Sequence, residues 1–158
     1  MTWRVFPGWR AGDEWILPAL REVFEWDGDR ATGWLYLPDQ EPVTLWPGQF
    51  AHLGPQLLAA LEAEVGESFT AVCFQAYRNG SGVGWHHDRT WAAQAILSLG
   101  ATRSFAVRNT AGNESQFLLQ HGDLFYMPPG FQDEWEHSVP TEKHARGERC
   151  SLVFRSPI

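Results

Sequence analysis

The sequence predicts an α+β fold in which helices come first and a β-sandwich or jelly roll follows. Apolar residues recur at helical spacing in the first part of the chain, at Leu20, Val23 and Phe24 and again from Leu53 to Val65. After residue 67 the chain consists of short β-prone segments separated by Gly, Pro and Asn. Helices followed by a run of strands are typical of α+β folds, with the strands forming two packed sheets.

The elements can be assigned in chain order. Residues 18–25 predict a short helix, and residues 28–38, GDRATGWLYLP, predict a strand. Residues 52–66 predict a second helix, because leucines recur at steps of three and four and Gly66 follows the last apolar position. Six strands are predicted after it, in the segments SFTAVCFQAYR, AAQAILSLG, RSFAVRN, SQFLLQ, GDLFYMP and RCSLVFR.

The composition indicates one folded domain over residues 1–158. The hydrophobic fraction of 44% over 158 residues is enough to bury a core. Apolar runs are short, so we expect no membrane span and no signal peptide, and hence a cytoplasmic protein, which we expect to be a monomer. Cys73 and Cys150 lie in apolar, strand-like segments and match no disulfide framework or metal spacing, which favours a packing role.

The net charge of −7 provides no long-range attraction to nucleic acid. Any affinity for phosphate would have to come from local arginines such as Arg103 and Arg108. Nine tryptophans are present, six of them within the first 46 residues, where they would form aromatic packing or a stacking surface.

Two histidines and an aspartate stand together in the segment GVGWHHDRTW. In an extended chain His86 and Asp88 point to the same side, whereas His87 points away. His137, in WEHSVP, is a third candidate near the end of the chain. Two histidines and one carboxylate form the facial triad of non-haem Fe(II) oxygenases, although an isolated His-x-Asp is more often a loop feature.

The last predicted strand carries two arginines on one side. Arg149, Ser151 and Arg155 share a face of RCSLVFR, and burying two guanidinium groups is costly unless an anion pairs with them. Gln75 and Tyr77 also share a face of their strand and offer an amide and a phenol as donors. Together these residues indicate a pocket for a dicarboxylate beside the histidines, with internal salt bridges or exposed arginines as the alternative.

The order of these motifs resembles that of the AlkB-type Fe(II)/2-oxoglutarate-dependent dioxygenases. Gln-x-Tyr, NGSGVGWHHD, SLGATRSFAVRN, GDLFYMPPGFQDEWEHSVP and RCSLVFR follow each other at similar intervals across residues 68–158. The resemblance implies a double-stranded β-helix, or jelly roll, with the two N-terminal helices packed on one sheet. Residues 68–158 would form the catalytic core, and residues 1–67 would form the helical support and a substrate lid.

The resemblance also implies the cofactors and their ligands. His86, Asp88 and His137 would bind Fe(II), and the remaining metal positions would serve 2-oxoglutarate and O2. Arg149, Arg155 and Tyr77 would hold the carboxylates of 2-oxoglutarate. Gln75 and Ser151 stand where the family usually has asparagine, and both keep hydrogen-bonding capacity.

The substrate class is the open question in the sequence. The resemblance favours an alkylated base, either in single-stranded nucleic acid or flipped from a duplex, with Trp34, Tyr36, Trp46 and Phe50 as the aromatic lid and Arg89 as a basic contact. Thr90 and Trp91 stand where related demethylases often carry an acidic residue. The alternatives are a hydroxylase of a small molecule, nucleotide or protein side chain, and a binding module without enzyme activity.

Overall fold

The computed structural model describes residues 3–36, 50–145 and 147–158, and the side chains of residues 50–53 are excluded from the description. Three helices lie in these ranges, α1 (Ile16–Arg21), α2 (Phe50–Val65) and α3 (Phe131–Glu134). The strands are β1 (Arg4–Phe6), β2 (Arg30–Tyr36), β3 (Ala71–Tyr77), β4 (Val83–His86), β5 (Gln94–Gly100), β6 (Arg103–Asn109), β7 (Glu114–Leu119), β8 (Leu124–Met127), β9 (Trp135–Val139) and β10 (Arg149–Arg155).

The strands form two antiparallel sheets. The major sheet has the order β1-β8-β5-β10-β3-β2, and the minor sheet has the order β4-β9-β6-β7. β10, which carries both arginines, is paired on both sides by β3 and β5. A strand in that position is shielded by its neighbours, so its side chains are held in fixed places relative to both of them.

Two buried clusters stabilise this arrangement. The first covers one face of the major sheet with residues of α1 and α2, including Leu20, Leu61, Phe74 and Leu152. The second lies between the sheets and includes Phe105 and Phe125. The two N-terminal helices therefore pack on one sheet, as the sequence predicted, because their apolar faces match the outward side of that sheet.

Three strands were not recognised in the sequence. β1 is only three residues long, and β4 and β9 carry polar and charged residues among a few apolar ones. None of them shows the clean alternation that identifies a half-buried strand. The first helix also differs, since α1 begins at Ile16 and ends at Arg21, whereas the apolar spacing predicted residues 18–25.

Two glycines bring β4 close to β9. Gly80 has a φ of 72°, and a Cβ there would collide with the backbone of Glu142. A Cβ at Gly82 would collide with the carbonyl oxygen of Val139. The glycine-rich turn NGSGVG therefore permits a backbone approach that other residues would block, and this approach places His86 opposite His137.

Both cysteines are free and buried. Burial raises the pKa of each thiol, and Cys150 is fully enclosed in the core on the helix side of the major sheet. This agrees with a packing role. Within the described ranges, the structure contains no helix that has the length and apolar character needed to cross a membrane.

Candidate active site

His86, Asp88 and His137 converge at one end of the space between the sheets. His86 ends β4, His137 lies in β9 directly opposite it, and Asp88 follows β4 by two residues. The Nε2 atoms of His86 and His137 lie 3.7 Å and 3.2 Å from Asp88 Oδ2. One ligand atom from each residue lies within 4.8 Å of the others, a spacing suited to a single metal ion.

The hydrogen bonds of His86 leave one nitrogen free for a metal. His86 Nδ1 lies 2.7 Å from the carbonyl oxygen of Gly84. Because a carbonyl only accepts, Nδ1 carries a proton, and Nε2 is the nitrogen that faces Asp88. Burial lowers the pKa of His137, with the hydrogen bond to Asp88 opposing this and the nearby His86 reinforcing it. Neutral imidazoles are the form that binds metals.

Asp88 is held ionised by its neighbours. Burial would raise the pKa of this carboxyl, but hydrogen bonds from His137 and Gln94 outweigh burial and hold the pKa well below its usual range. Gln94 Nε2 donates to Asp88 Oδ2 at 3.0 Å. The backbone N–H of Asp88 donates to Gln132 Oε1 at 2.9 Å, which fixes the loop that carries the carboxylate.

His87 points away from this cluster, as the alternation of an extended chain predicted. Its Nδ1 lies 3.2 Å from the carbonyl oxygen of Trp135, and its Nε2 lies 3.5 Å from Glu136 Oε1.

The three residues open into a cavity between the sheets. The cavity combines the metal-binding candidates with polar side chains of the major sheet and an apolar wall from both sheets. Its lining residues are Gln75, Tyr77, Val83, His86, Asp88, Gln94, Ile96, Phe105, His137, Val139, Ser151, Val153 and Arg155.

Arg149 is a buried cation without a charge partner. Its side chain points to the same side of β10 as Ser151 and Arg155, which line the cavity. Arg149 itself is 1% exposed and does not line the cavity. Nη2 donates to Ser98 Oγ at 2.9 Å, whereas Nε and Nη1 have no partner in the described structure. No carboxylate of the described residues forms an ion pair with this guanidinium. A bound carboxylate would supply the missing acceptors.

Tyr77 and Gln75 line the cavity beside this arginine. The Arg149 guanidinium lies 5.7 Å from the centre of the Tyr77 ring, and Arg30 stacks on the same ring at 4.2 Å. Tyr77 Oη donates to Gln75 Oε1 at 3.3 Å, and Arg30 Nη2 donates to the same oxygen at 3.0 Å. Gln75 thus positions the phenol and a second cation at this end of the cavity.

Arg155 is at the other end of β10, beside Asp88. Its Nε donates to Gln94 Oε1 at 2.9 Å. Its guanidinium lies 5.6 Å from the centre of the Trp34 ring and 5.7 Å from that of Trp91. Ser151, which is buried, lines the cavity between the two arginines.

The predicted aromatic lid is divided by the structure. Trp34 lies on the cavity side of β2, where its ring is 6.2 Å from that of Trp91. A β-bulge between Trp34 and Tyr36 turns Tyr36 to the helix side of the sheet, against the core cluster there. Tyr36 therefore does not share a face with Trp34. Trp46 and the Phe50 side chain lie outside the described residues.

The loop after Asp88 places the remaining predicted contacts at the surface. A turn is closed by a 3.1 Å hydrogen bond from Trp91 N–H to the carbonyl oxygen of Asp88. Arg89 and Thr90 occupy its exposed corner, and Arg89 Nε reaches the carbonyl oxygen of Gln132 at 3.5 Å. The turn brings Trp91 back toward Trp34 and Arg155.

The arginines expected to attract phosphate do not form a patch. Arg103 is 2% exposed, and its Nη2 donates to the carbonyl oxygens of Gly80, Ser81 and Pro140. Arg108 donates to Glu136 at 2.7 Å, which neutralises its charge locally. The two residues therefore do not form the local cluster that the sequence suggested, because Arg103 is buried within the fold and Arg108 is paired with Glu136.

Several site residues were not identified from the sequence. Gln94 and Ser98 both lie on the cavity side of β5. They are polar residues four positions apart in an otherwise apolar strand, and this spacing was the signal in the sequence that could have identified them. Arg30 and Gln132 come from segments whose positions only the folded chain defines. Trp91 was noted only as a departure from the family pattern, yet it lies against Arg155.

The fold and the site together define an oxygenase of the Fe(II)/2-oxoglutarate class. The chain belongs to the 2OG-Fe(II) oxygenase superfamily, whose sequence profile matches residues 10–155. The enzyme class and the cofactor set predicted from the motifs, Fe(II), 2-oxoglutarate and O2, are those of this superfamily. The donor set of two imidazoles and one carboxylate fits Fe(II), and the unpaired atoms of Arg149 fit a carboxylate.

The AlkB-type resemblance is confirmed by curated relatives. The alpha-ketoglutarate-dependent dioxygenase alkB homolog 3 of Bos taurus is 32% identical over 158 residues, which cover 87% of this chain and 54% of that protein. The Homo sapiens protein of the same name is 31% identical over 156 residues, with the same coverage of 87% and 54%. The chain thus spans about half the length of the curated relatives it matches.

Solved structures confirm the jelly-roll fold. A prolyl-4-hydroxylase of Pseudomonas putida superimposes with a TM-score of 0.67 at 19% identity, covering 99% of this chain and 94% of that one. OsALKBH1 superimposes with a TM-score of 0.64 at 14% identity, covering 98% of both chains.

Proposed function

We propose that this chain is the catalytic core of an AlkB-type dioxygenase that oxidatively demethylates N-alkylated bases in nucleic acid. The observation that supports the chemistry most strongly is the cavity that joins the His86, Asp88 and His137 cluster to a strand with a buried arginine, which forms no ion pair within the described ranges. Iron and a keto acid must be adjacent for this reaction, and the candidate ligands for both lie around this one cavity. Residues 1–158 as one domain and a cytoplasmic monomer remain predictions.

The metal-binding role follows from protonation. The pKa of Asp88 is lowered by its hydrogen bonds and that of His137 is lowered by burial, so fewer protons compete with Fe(II) at these two residues, which together with His86 would hold the metal. When bound with 2-oxoglutarate and O2, Fe(II) supplies the oxidant that hydroxylates a C–H bond, and an N-hydroxymethyl product releases formaldehyde. Gln132 and Gln94 hold the carboxylate in place through its backbone and its side chain.

The cosubstrate role belongs to β10 and its neighbours. Arg149 would pair with one carboxylate of 2-oxoglutarate through Nε and Nη1, the atoms that have no partner in the described structure. Tyr77 would donate its hydroxyl to the same group, and Ser151 would contribute a second hydroxyl from the cavity wall. Arg155 would contact the end of 2-oxoglutarate that lies nearest to Asp88.

The substrate class is supported by the aromatic surface at the rim of the site. Trp34, which is 37% exposed, and Trp91 flank the Arg155 guanidinium. Two indoles around a cation provide flat surfaces for a base and a charge for a phosphate or carbonyl. A base removed from its stack would have to enter here to bring its methyl group near the metal.

Charge favours a second candidate, a hydroxylase of a small molecule, nucleotide or protein side chain. The net charge is −7, and the arginine pair expected to bind phosphate is buried or neutralised. A nucleic-acid polymer would release few counterions on binding to this surface, so counterion release would add little to its affinity.

The two candidates are distinguished by product formation from matched substrates. Enzyme reconstituted with Fe(II) and 2-oxoglutarate is expected to release formaldehyde and succinate in equal amounts from an N-methylated single-stranded oligonucleotide. The methylated nucleoside and an unmethylated oligonucleotide are the comparisons, and His86→Ala is the blank. Turnover of the nucleoside at the rate of the oligonucleotide would favour the small-molecule candidate, and no turnover of any base would contradict the demethylase.

The Trp91→Ala variant is expected to raise KM for the oligonucleotide about tenfold. A stacked base contributes roughly 1–3 kcal/mol, and Trp91 provides one of the two surfaces. Succinate formation without substrate should change much less than this KM, because Trp91 does not line the cavity and contacts only the Arg155 end of the cosubstrate site. Trp26→Ala is the control, since Trp26 lies under Arg78 and packs against the core cluster on the helix side of the sheet. Equal KM changes in both variants would show a general loss of stability.

A further inference from the structure

Gln94 is a buried amide that connects the two halves of the site. We propose that it is a positioning residue that couples metal binding at Asp88 to cosubstrate binding at Arg155, an inference that rests on the function proposed above. Gln94 is 1% exposed and lines the cavity. It begins β5, in register with Arg155 of the neighbouring β10.

Both ends of the amide are engaged. Nε2 donates to Asp88 Oδ2 at 3.0 Å, and Oε1 accepts from Arg155 Nε at 2.9 Å. A carboxylate only accepts and a guanidinium only donates, so the orientation of the amide is dictated by its partners. Each partner is charged, which makes both bonds stronger than those between neutral groups.

The amide also joins the two sheets. Gln94 and Arg155 belong to the major sheet, whereas Asp88 follows β4 of the minor sheet. The oxygen it contacts, Oδ2, is the one that lies nearest to both histidine Nε2 atoms. A change in the position of Arg155 is therefore transmitted to the metal-binding oxygen through one rigid group.

An amide of this length suits this role because it accepts at one end and donates at the other. Glutamate would accept from Arg155 but has no donor for Asp88, and it would place like charges together. Lysine would donate to Asp88 but would repel Arg155. Among the described residues, Asp88 and Arg155 form no direct ion pair. Gln94 thus keeps the two charges separate, so that the carboxylate remains available to a metal and the guanidinium to an anion.

The position of Arg155 depends on few other contacts. Its guanidinium lies 5.6 Å from the centre of the Trp34 ring and 5.7 Å from that of Trp91. Rings at this distance limit the tilt of the guanidinium plane but do not fix the rotation of the group within that plane. Gln94 supplies the one directional hydrogen bond that the described structure shows for this side chain. Loss of the amide would remove this hydrogen bond from Arg155 and one of the hydrogen bonds to the Asp88 carboxylate at the same time.

The test measures the binding of Mn(II), a redox-inert probe, with and without 2-oxoglutarate. In the wild type we expect 2-oxoglutarate to tighten Mn(II) binding about fivefold or more, and Mn(II) to tighten 2-oxoglutarate binding by the same factor. In Gln94→Met we expect Mn(II) affinity to fall about tenfold or more and the coupling factor to fall to the part that direct coordination of the keto acid to the metal provides. The Mn(II) electron paramagnetic resonance spectrum with 2-oxoglutarate should also differ from that of the wild type.

Two further variants make the result decisive. Leu97→Met changes the same strand on its helix side and should keep the wild-type coupling. Gln94→Asn keeps a polar amide that is one methylene too short to span both partners, so it should fold and still show a reduced coupling factor like that of Gln94→Met. A purely structural role would weaken both ligands and leave their coupling factor unchanged. Wild-type coupling in both Gln94 variants would overturn the inference, whereas a wild type that binds no Mn(II) would overturn it together with the proposed metal site.

Discussion

Replacing Arg149 with methionine is expected to abolish 2-oxoglutarate binding and to make the ligand-free protein more stable. The guanidinium is buried with two nitrogens that have no partner among the described residues, and burial lowers its pKa. Replacing a buried ion pair with hydrophobic side chains is often neutral or stabilising by about 1–4 kcal/mol, and a buried charge without an ion-pair partner has less attraction to lose. The same change removes the charge partner of the cosubstrate, which should cost at least about 100-fold in affinity.

Thermal unfolding with and without Mn(II) and 2-oxoglutarate measures both effects, because a ligand that binds the folded state raises its stability. Arg103→Met is the matched control, since Arg103 is equally buried but bonds to three carbonyl oxygens. Its loss should destabilise the protein by about 3 kcal/mol and leave the 2-oxoglutarate response intact. If Arg149→Met keeps the full response to 2-oxoglutarate, the assignment of Arg149 is incorrect.

The His86→Ala variant is expected to lose metal binding and all turnover. Removing one of three ligands leaves an incomplete donor set, and we expect Fe(II) affinity to fall at least about 100-fold. Anaerobic titration with Fe(II) and 2-oxoglutarate follows the effect through the visible charge-transfer band of the complex, which should develop in the wild type and be absent in the variant.

His87→Ala provides a control of the same residue type at the adjacent position. Its ring contacts Trp135 and Glu136 instead of Asp88. The charge-transfer band should therefore form normally in this variant. A band that persists in His86→Ala, or that disappears equally in both variants, would be incompatible with the metal site described above.

Much of the site was predictable from strand geometry. Side chains alternate across a strand, so the spacing of His86 and Asp88, and of Arg149 and Arg155, is sufficient to place each pair on one face. The rule fails where a strand is irregular. The β-bulge in β2 separates Trp34 from Tyr36, and no residue in that segment marks the bulge in the sequence.

Other parts of the site depend on contacts between distant segments. Arg30 reaches Gln75, and Gln132 reaches the backbone of Asp88, across 45 and 44 residues. Such pairs leave no local pattern, because a hydrogen bond between segments depends on how the sheets pack. The buried position of Arg103 illustrates the same limit, since an arginine in a strand is as consistent with a solvent-facing role as with a bond to three carbonyls.

The sequence by itself determined the class of fold, the ligand types and their order along the chain, because hydrophobic periodicity and side-chain alternation are local properties. Only the tertiary structure decided that His86 lies opposite His137, that Arg149 has no ion-pair partner among the residues that the structure describes, and that Gln94 links Asp88 to Arg155. These features follow from sheet register and from the close approach of β4 to β9, which are fixed by the packing of the whole chain.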